Sequence, residues 1–264
     1  MKRLELDLIT PPLVETSFSL QFSRLESLHT GFRGLLWSEY RQDFPIVKRH
    51  HELSHEIEKF GIIQRDTPQL RFNTDVPNPR LYFISHKSDK VIQLQQDRFI
   101  FNWLKKGNSE YPRFPKLKEE YLEHYTNFTK FLKRESLGEP EIDQVELTYV
   151  NHIDADGLSA QEVFVGIVEK HTKIESLELE SFALNLKHII SHNGEHIGRI
   201  YTTISTAQKE SSCDTYYYLK FVARANPLGS SLSDVLLTMD LLSSTINHSF
   251  KAMIRDDLLE KWSR

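Results

Sequence analysis

The sequence predicts an α+β fold of two similar strand–helix–three-strand–helix units with antiparallel sheets, closed by a long C-terminal helix packed on a sheet. Three observations predict it. Alternating apolar and polar residues mark strands in both halves. Hairpin-type turns, rather than crossover helices, separate most of those strands. The order of elements then recurs from the first half to the second, as an internal duplication would give. The expected units are residues 1–138 and 139–264, tightly associated because no flexible linker separates them.

The first strand is expected at residues 13–22. Val14, Thr16, Phe18, Leu20 and Phe22 alternate with more polar neighbours, and Pro11-Pro12 stops anything upstream from continuing into it. A helix is expected over 25–40, with Leu25, Leu28, Phe32, Leu35 and Leu36 on one face. A second is expected over 45–60, with Pro45 in its first turn and Gly61 as its stop. Three strands follow at 69–73, 80–86 and 91–103, with Lys87-Ser88-Asp89 as the hairpin between the last two. A helix over 116–133 repeats Leu117, Tyr121, Tyr125, Phe128 and Leu132 at helical spacing.

The second half opens with a strand at 143–152 and a helix over 159–171, where Ser159 and Glu162 match a capping box. Strands follow at 177–192, 195–206 and 216–225. Asn193-Gly194 between the first two is a strong hairpin signal, because a type I′ turn needs positive φ at both positions. The last helix is expected over 233–262, with an apolar stripe from Val235 to Ile254.

The composition excludes several classes. With 39% hydrophobic residues, 16 Phe and 10 Tyr, the chain can bury an aromatic core, so wholesale disorder is excluded. A net charge of −4 gives no global basicity for nucleic acid. The one cysteine, Cys213, can form neither an internal disulfide nor a cysteine-based zinc site, and it points to a reducing cytoplasm. No apolar run reaches a membrane span, and acidic residues interrupt any signal-peptide core. The expected protein is cytoplasmic, without a membrane and without a cofactor.

From Gln93 onward, the string QLQQDRFIFNW, a short gap and YPRF resemble the core signature of an uncharacterised, sporadically distributed prokaryotic family. PPLVETSFSLQF and QVELTYVNHI resemble its opening and mid-chain strands, and Asp240 and Phe250 fit its final helix. Ser243-Ser244 depart from it where a His-Glu pair is expected. The resemblance implies no established activity. Patchy occurrence implies horizontal transfer, as in mobile antiviral defence or toxin–antitoxin systems, and a protein partner encoded by a neighbouring gene.

Three constellations compete for function. His51-Glu52-Leu53-Ser54-His55 is a literal H-E-x-x-H, which on a helix places His51 and His55 on one face for zinc with Glu52 as base. Charged neighbours speak instead for a solvated helix, so no metal ligand is assigned. Arg98 and Asn102 share one strand face, opposite Phe99, Phe101 and Trp103. With Tyr111, Arg113, Asn151 and His152, they are the candidate ligand-binding residues, Arg supplying a fork for carboxylate or phosphate. Residues 98–134 hold nine Lys/Arg against four Glu. Within that segment Lys105, Lys106, Lys116 and Lys118 are the candidate nucleic-acid contacts, weighed against a solvated helix face whose aromatics are core.

Other patterns carry less. Asp154–Gly157 fails as a calcium loop after its second carboxylate. Asp240, Ser244 and His248 form a polar stripe in the wrong order for a triad. No Gly-rich phosphate loop or nucleophile elbow is present. No catalytic residue is assigned. The expected protein is a non-enzymatic binding or accessory protein for a protein partner or an anionic ligand. A zinc hydrolase and a nucleic-acid binder are the alternatives, and homodimerisation is a default.

Overall fold

The computed structural model describes residues 6–61, 78–154, 157–165, 180–208 and 214–263. In chain order the elements are β1 (Leu13–Phe22), α1 (Thr30–Tyr40), β2 (Ile46–His50), β3 (Arg80–Ile84), β4 (Lys90–Gln95), β5 (Arg98–Leu104), α2 (Phe114–Arg134) and β6 (Ile142–Asp154). They continue with α3 (Ala160–Val163), β7 (Ala183–His192), β8 (Glu195–Gln208), β9 (Thr215–Ala225), α4 (Leu232–Met253) and α5 (Asp256–Trp262).

The nine strands form one antiparallel sheet in the order β2-β3-β4-β5-β1-β6-β9-β8-β7. This corrects the expectation of two units with separate sheets. The two opening strands, β1 and β6, are the seam, paired from Leu13↔Asn151 to Phe22↔Ile142. In separate sheets each would present an edge of unpaired N–H and C=O groups. Pairing them satisfies both edges at once. Side-chain alternation reports which face a residue takes but not which strand lies beside it.

The registers define two faces. At one level, Phe83, Ile92, Phe101, Phe18, Leu147, Ala223 and Ile200 lie side by side across seven strands, and all are buried. The long helices cover this face. Phe18 stacks on Phe114 and Tyr121 of α2, each at 5.6 Å between ring centroids, and Phe99 stacks on Phe128 at 5.2 Å. α4 packs on β6 and β9 through Met239, Leu242 and Ile246. Burying one such side chain stabilises by about 1.5–3 kcal/mol.

Several expected elements are redrawn. Residues 45–60 are not a helix: β2 pairs with β3, and 51–59 run without helix or strand. A ladder with β3 and side-chain partners on the sheet outweigh the local helical pattern. The expected 91–103 strand is a hairpin, β4 and β5, turning at Gln96-Asp97. Those two polar residues are buried because they bind the 23–29 segment and His55. Helix α1 begins only at Thr30, where the His29 ring caps Gly31 N–H at 3.2 Å.

The 87–89 hairpin and the Asn193-Gly194 turn form as expected, the latter with φ of 52° and 87°. The helix expected over 159–171 is the short α3, whose Glu162 carboxylate accepts from Ser159 N–H at 2.7 Å. The last helix breaks at Ile254, which is extended and bridges to Phe164. Backbone bonds Val165 N–H to Met253 O (3.1 Å) and Arg255 N–H to Val163 O (3.2 Å) replace the helical ones there. The expected 69–73 strand, Cys213 and residues 166–171 and 177–179 lie outside the described residues.

Candidate functional site

On the helix-covered face a cavity of about 430 Å³ opens where the starts of β1 and α2 meet the end of β6 and the middle of α4. Leu8, Leu13, Phe114, Ile246 and Phe250 supply its apolar wall. Polar groups converge from separate elements: Tyr111 and Arg113 from the approach to α2, Tyr149 and Asn151 from β6, and Ser243 and Ser244 from α4. A mostly apolar cavity with a few convergent polar groups is the usual form of a small-molecule site.

Two of the hydroxyls meet: Tyr149 Oη lies 3.2 Å from Ser243 Oγ. Burial pushes the Tyr111 phenol up to about 12 and raises Tyr149 well above the ordinary phenol value. Both are therefore neutral near pH 7. Asn151 is buried and donates to Leu219 O at 3.3 Å. Of the two wall carboxylates, Asp240 is neutralised by Lys118 Nζ at 2.5 Å, whereas Asp7 is exposed.

Arg113 is the unusual residue. It is the N-cap of α2 with φ 75° and ψ 149°. That backbone region belongs essentially to glycine and costs on the order of 1–3 kcal/mol for other residues. Its guanidinium donates to Leu8 O at 2.5 Å, on the cavity wall.

The other expected residues divide. Arg98 and Asn102 lie on the opposite face of the sheet from Asn151, so the expected ligand-binding residues do not share one site. In the register, Arg98 stands beside Gln21 and Gln144, whereas Asn151 stands beside the core residue Leu219. Asn102 accepts from Gln93 at 2.7 Å and donates to Glu15 at 2.6 Å. His152 points to that same opposite face, exposed, with its ring 4.5 Å from that of Tyr216.

The H-E-x-x-H residues are not on a helix, so the projection that zinc binding assumes is absent. His51 is exposed, Glu52 pairs with Arg24 at 3.2 Å, and His55 lies between Asp97 at 2.9 Å and Asp143 at 3.4 Å. Among the described residues, no group of three or more His, Cys, Asp or Glu could hold a metal ion.

In the basic segment, Lys105, Lys106 and Lys116 are exposed, while Lys118 is engaged by Asp240. Trp103, Phe114, Tyr121 and Tyr125 are buried in the core, and Tyr111 faces the cavity. Asp240 is thus paired away from Ser244, and His248 Nδ1 donates to the Ser244 carbonyl at 2.7 Å. Sequence reading missed Asp7, Tyr149 and Ser243 as wall residues. Tyr149 was within reach, since it sits two positions before Asn151 on one strand face.

No family model, curated protein or solved structure compared with the chain matches it. The family resemblance therefore stands only on the sequence segments that carry it. No described helix is long and apolar enough to cross a membrane.

Proposed function

We propose that the protein binds a small anionic molecule with an apolar body in the cavity between α2, α4 and the β1–β6 seam. The cavity carries this reading: about 430 Å³, apolar walls, and polar groups converging from separate elements. An acidic group would meet the Arg113 guanidinium beside the first turn of α2, where the helix dipole also favours negative charge. The apolar body would lie against Leu13, Phe114 and Phe250. Tyr111, Tyr149, Ser243 and Asn151 supply neutral hydrogen-bonding groups that fix orientation. Nothing in this reading requires a reaction.

Native mass spectrometry of the purified protein, with thermal-shift titration of medium-chain and aromatic carboxylates against matched amines, tests it. Carboxylates should raise the melting temperature, and Arg113→Gly should abolish the rise while leaving the protein folded. A rise with amines but not carboxylates, or one unchanged in Arg113→Gly, refutes it.

A further inference from the structure

The opposite face of the sheet holds a second arrangement, independent of the cavity. Residues 52–59 lie across it, with no strand of their own. Three glutamine side chains from β4, β1 and β6 bond the segment's backbone. Gln95 accepts from Leu53 N–H (3.0 Å) and donates to Leu53 O (3.0 Å). Gln21 does the same at Glu56, at 3.1 and 2.7 Å. Gln144 donates to Glu56 O at 2.9 Å and accepts from Glu58 N–H at 3.1 Å. Side-chain amides here do what a neighbouring strand does in a sheet, and they do it irrespective of the segment's own side chains.

The carboxylates are bonded separately. Glu52 pairs with Arg24, Glu56 with Arg224 and Glu58 with Arg199. Tyr201 Oη also donates to Glu58 at 2.7 Å. The contacts are polar almost throughout. Ile57 stays 40% exposed, so the segment gains little apolar burial by docking. Beside it, Arg98 donates to Ser54 O at 3.0 Å, and its Nε is buried without a hydrogen-bond partner. Ser54 itself is exposed and meets Arg98 only through its carbonyl.

From this geometry we infer that the polar sheet face is a recognition surface for an extended acidic peptide segment of a protein partner, which residues 52–59 occupy in cis. The glutamines read the backbone of any extended chain, and Arg24, Arg199 and Arg224 select one with glutamates spaced as Glu52, Glu56 and Glu58. A segment held almost wholly by polar contacts is the kind that exchanges. Its bonds can be replaced one for one by the competitor's, and no apolar core is opened.

The test uses the full chain and a fluorescent synthetic peptide of residues 50–60. Glu56→Arg with Glu58→Arg sets like charges against Arg224 and Arg199 and releases the segment. Fluorescence anisotropy should show at least tenfold tighter peptide binding to this folded variant than to the unaltered chain. Adding Arg199→Glu, or replacing the peptide's glutamates by glutamine, should remove the gain. Equal binding to the released and unaltered chains overturns the inference. Hydrogen exchange on the unaltered chain decides independently of how the variant folds. Amides of Leu53, Glu56 and Glu58 exchanging at least a hundredfold faster than those of β1 support a releasable segment, whereas equal protection overturns it. A concentration-dependent dimer that exchanges this segment between copies would make the occupant a second copy of the chain and also overturn the inference.

Discussion

Gly198 in β8 offers a stringent check on the single sheet. An added Cβ would lie 2.0 Å from the Arg224 carbonyl oxygen and 2.7 Å from both Cα and Cβ of Ala225 on β9. Two of these three contacts are backbone, so no rotamer change relieves the overlap. Restoring an ordinary contact of about 3.5 Å moves the strands apart by about 1.5 Å. That stretches the adjacent Asn226 N–H to Ile197 O bond, now 2.9 Å, beyond hydrogen-bonding range. Overpacking costs about 1–3 kcal/mol and the bond about 1 kcal/mol, so Gly198→Ala should destabilise by about 2–4 kcal/mol. For a chain of this size that lowers Tm by about 4–16 °C, measured by calorimetry or circular dichroism. Gly194→Ala is the control. Gly194 has φ 87° with open space around its Cβ position, so only a conformational cost of about 1–2 kcal/mol applies. A Gly198→Ala shift under about 1 °C, or one smaller than that of Gly194→Ala, would refute the β8–β9 register and the sheet built on it.

Three further outcomes are expected. His124 is enclosed by Tyr40, Phe44 and Phe101, and burial lowers its pKa below the ordinary 6.5. As pH falls through the unfolded value, the unfolded chain takes up the proton first, so stability present above pH 6.5 is lost toward the lower folded value. Melting of His124→Phe should therefore fall less than that of the unaltered chain between about pH 7 and about pH 5. Ser231→Ala removes the α4 capping box, in which Ser231 Oγ accepts from Asp234 N–H at 3.2 Å. It should cost about 1 kcal/mol, or about 2–4 °C in Tm. Arg113→Gly loses its charge-assisted bond to Leu8 O, about 1.5–3 kcal/mol, and relieves about 1–3 kcal/mol of backbone strain. The two offset, so its thermal melt should stay close to that of the unaltered chain, in contrast to its loss of carboxylate binding.

The faces were legible where the pattern is local. The alternation in 13–22 put Phe18, Leu20 and Phe22 on one side, and that side is the core. The aromatic repeat from Leu117 to Leu132 marked the buried stripe of α2. The 91–103 run misled because a two-residue turn of buried polar residues carries none of the usual glycine or proline punctuation. The H-E-x-x-H segment misled in another way. Its charges read as a solvated helix, whereas their partners are arginines far away in sequence, Arg24, Arg199 and Arg224. Tyr111, Arg113 and Asn151, expected as ligand-binding residues, line the cavity, but they were joined to Arg98 and Asn102 because sequence gives no common frame for different strands.

By itself, then, the sequence determined which residues of β1 and α2 turn inward, where the 87–89 and 193–194 turns fall, and that a single cysteine leaves no internal disulfide. These follow from periods of 2 and 3.6 residues and from turn chemistry, which act over a few neighbouring positions. Only the tertiary structure decided that β1 and β6 join everything into one sheet, that a cavity opens beside their seam, and that residues 52–59 lie across the far face. Each of these depends on strand order and on contacts between residues about 30 to 170 positions apart, and no local period encodes such pairings.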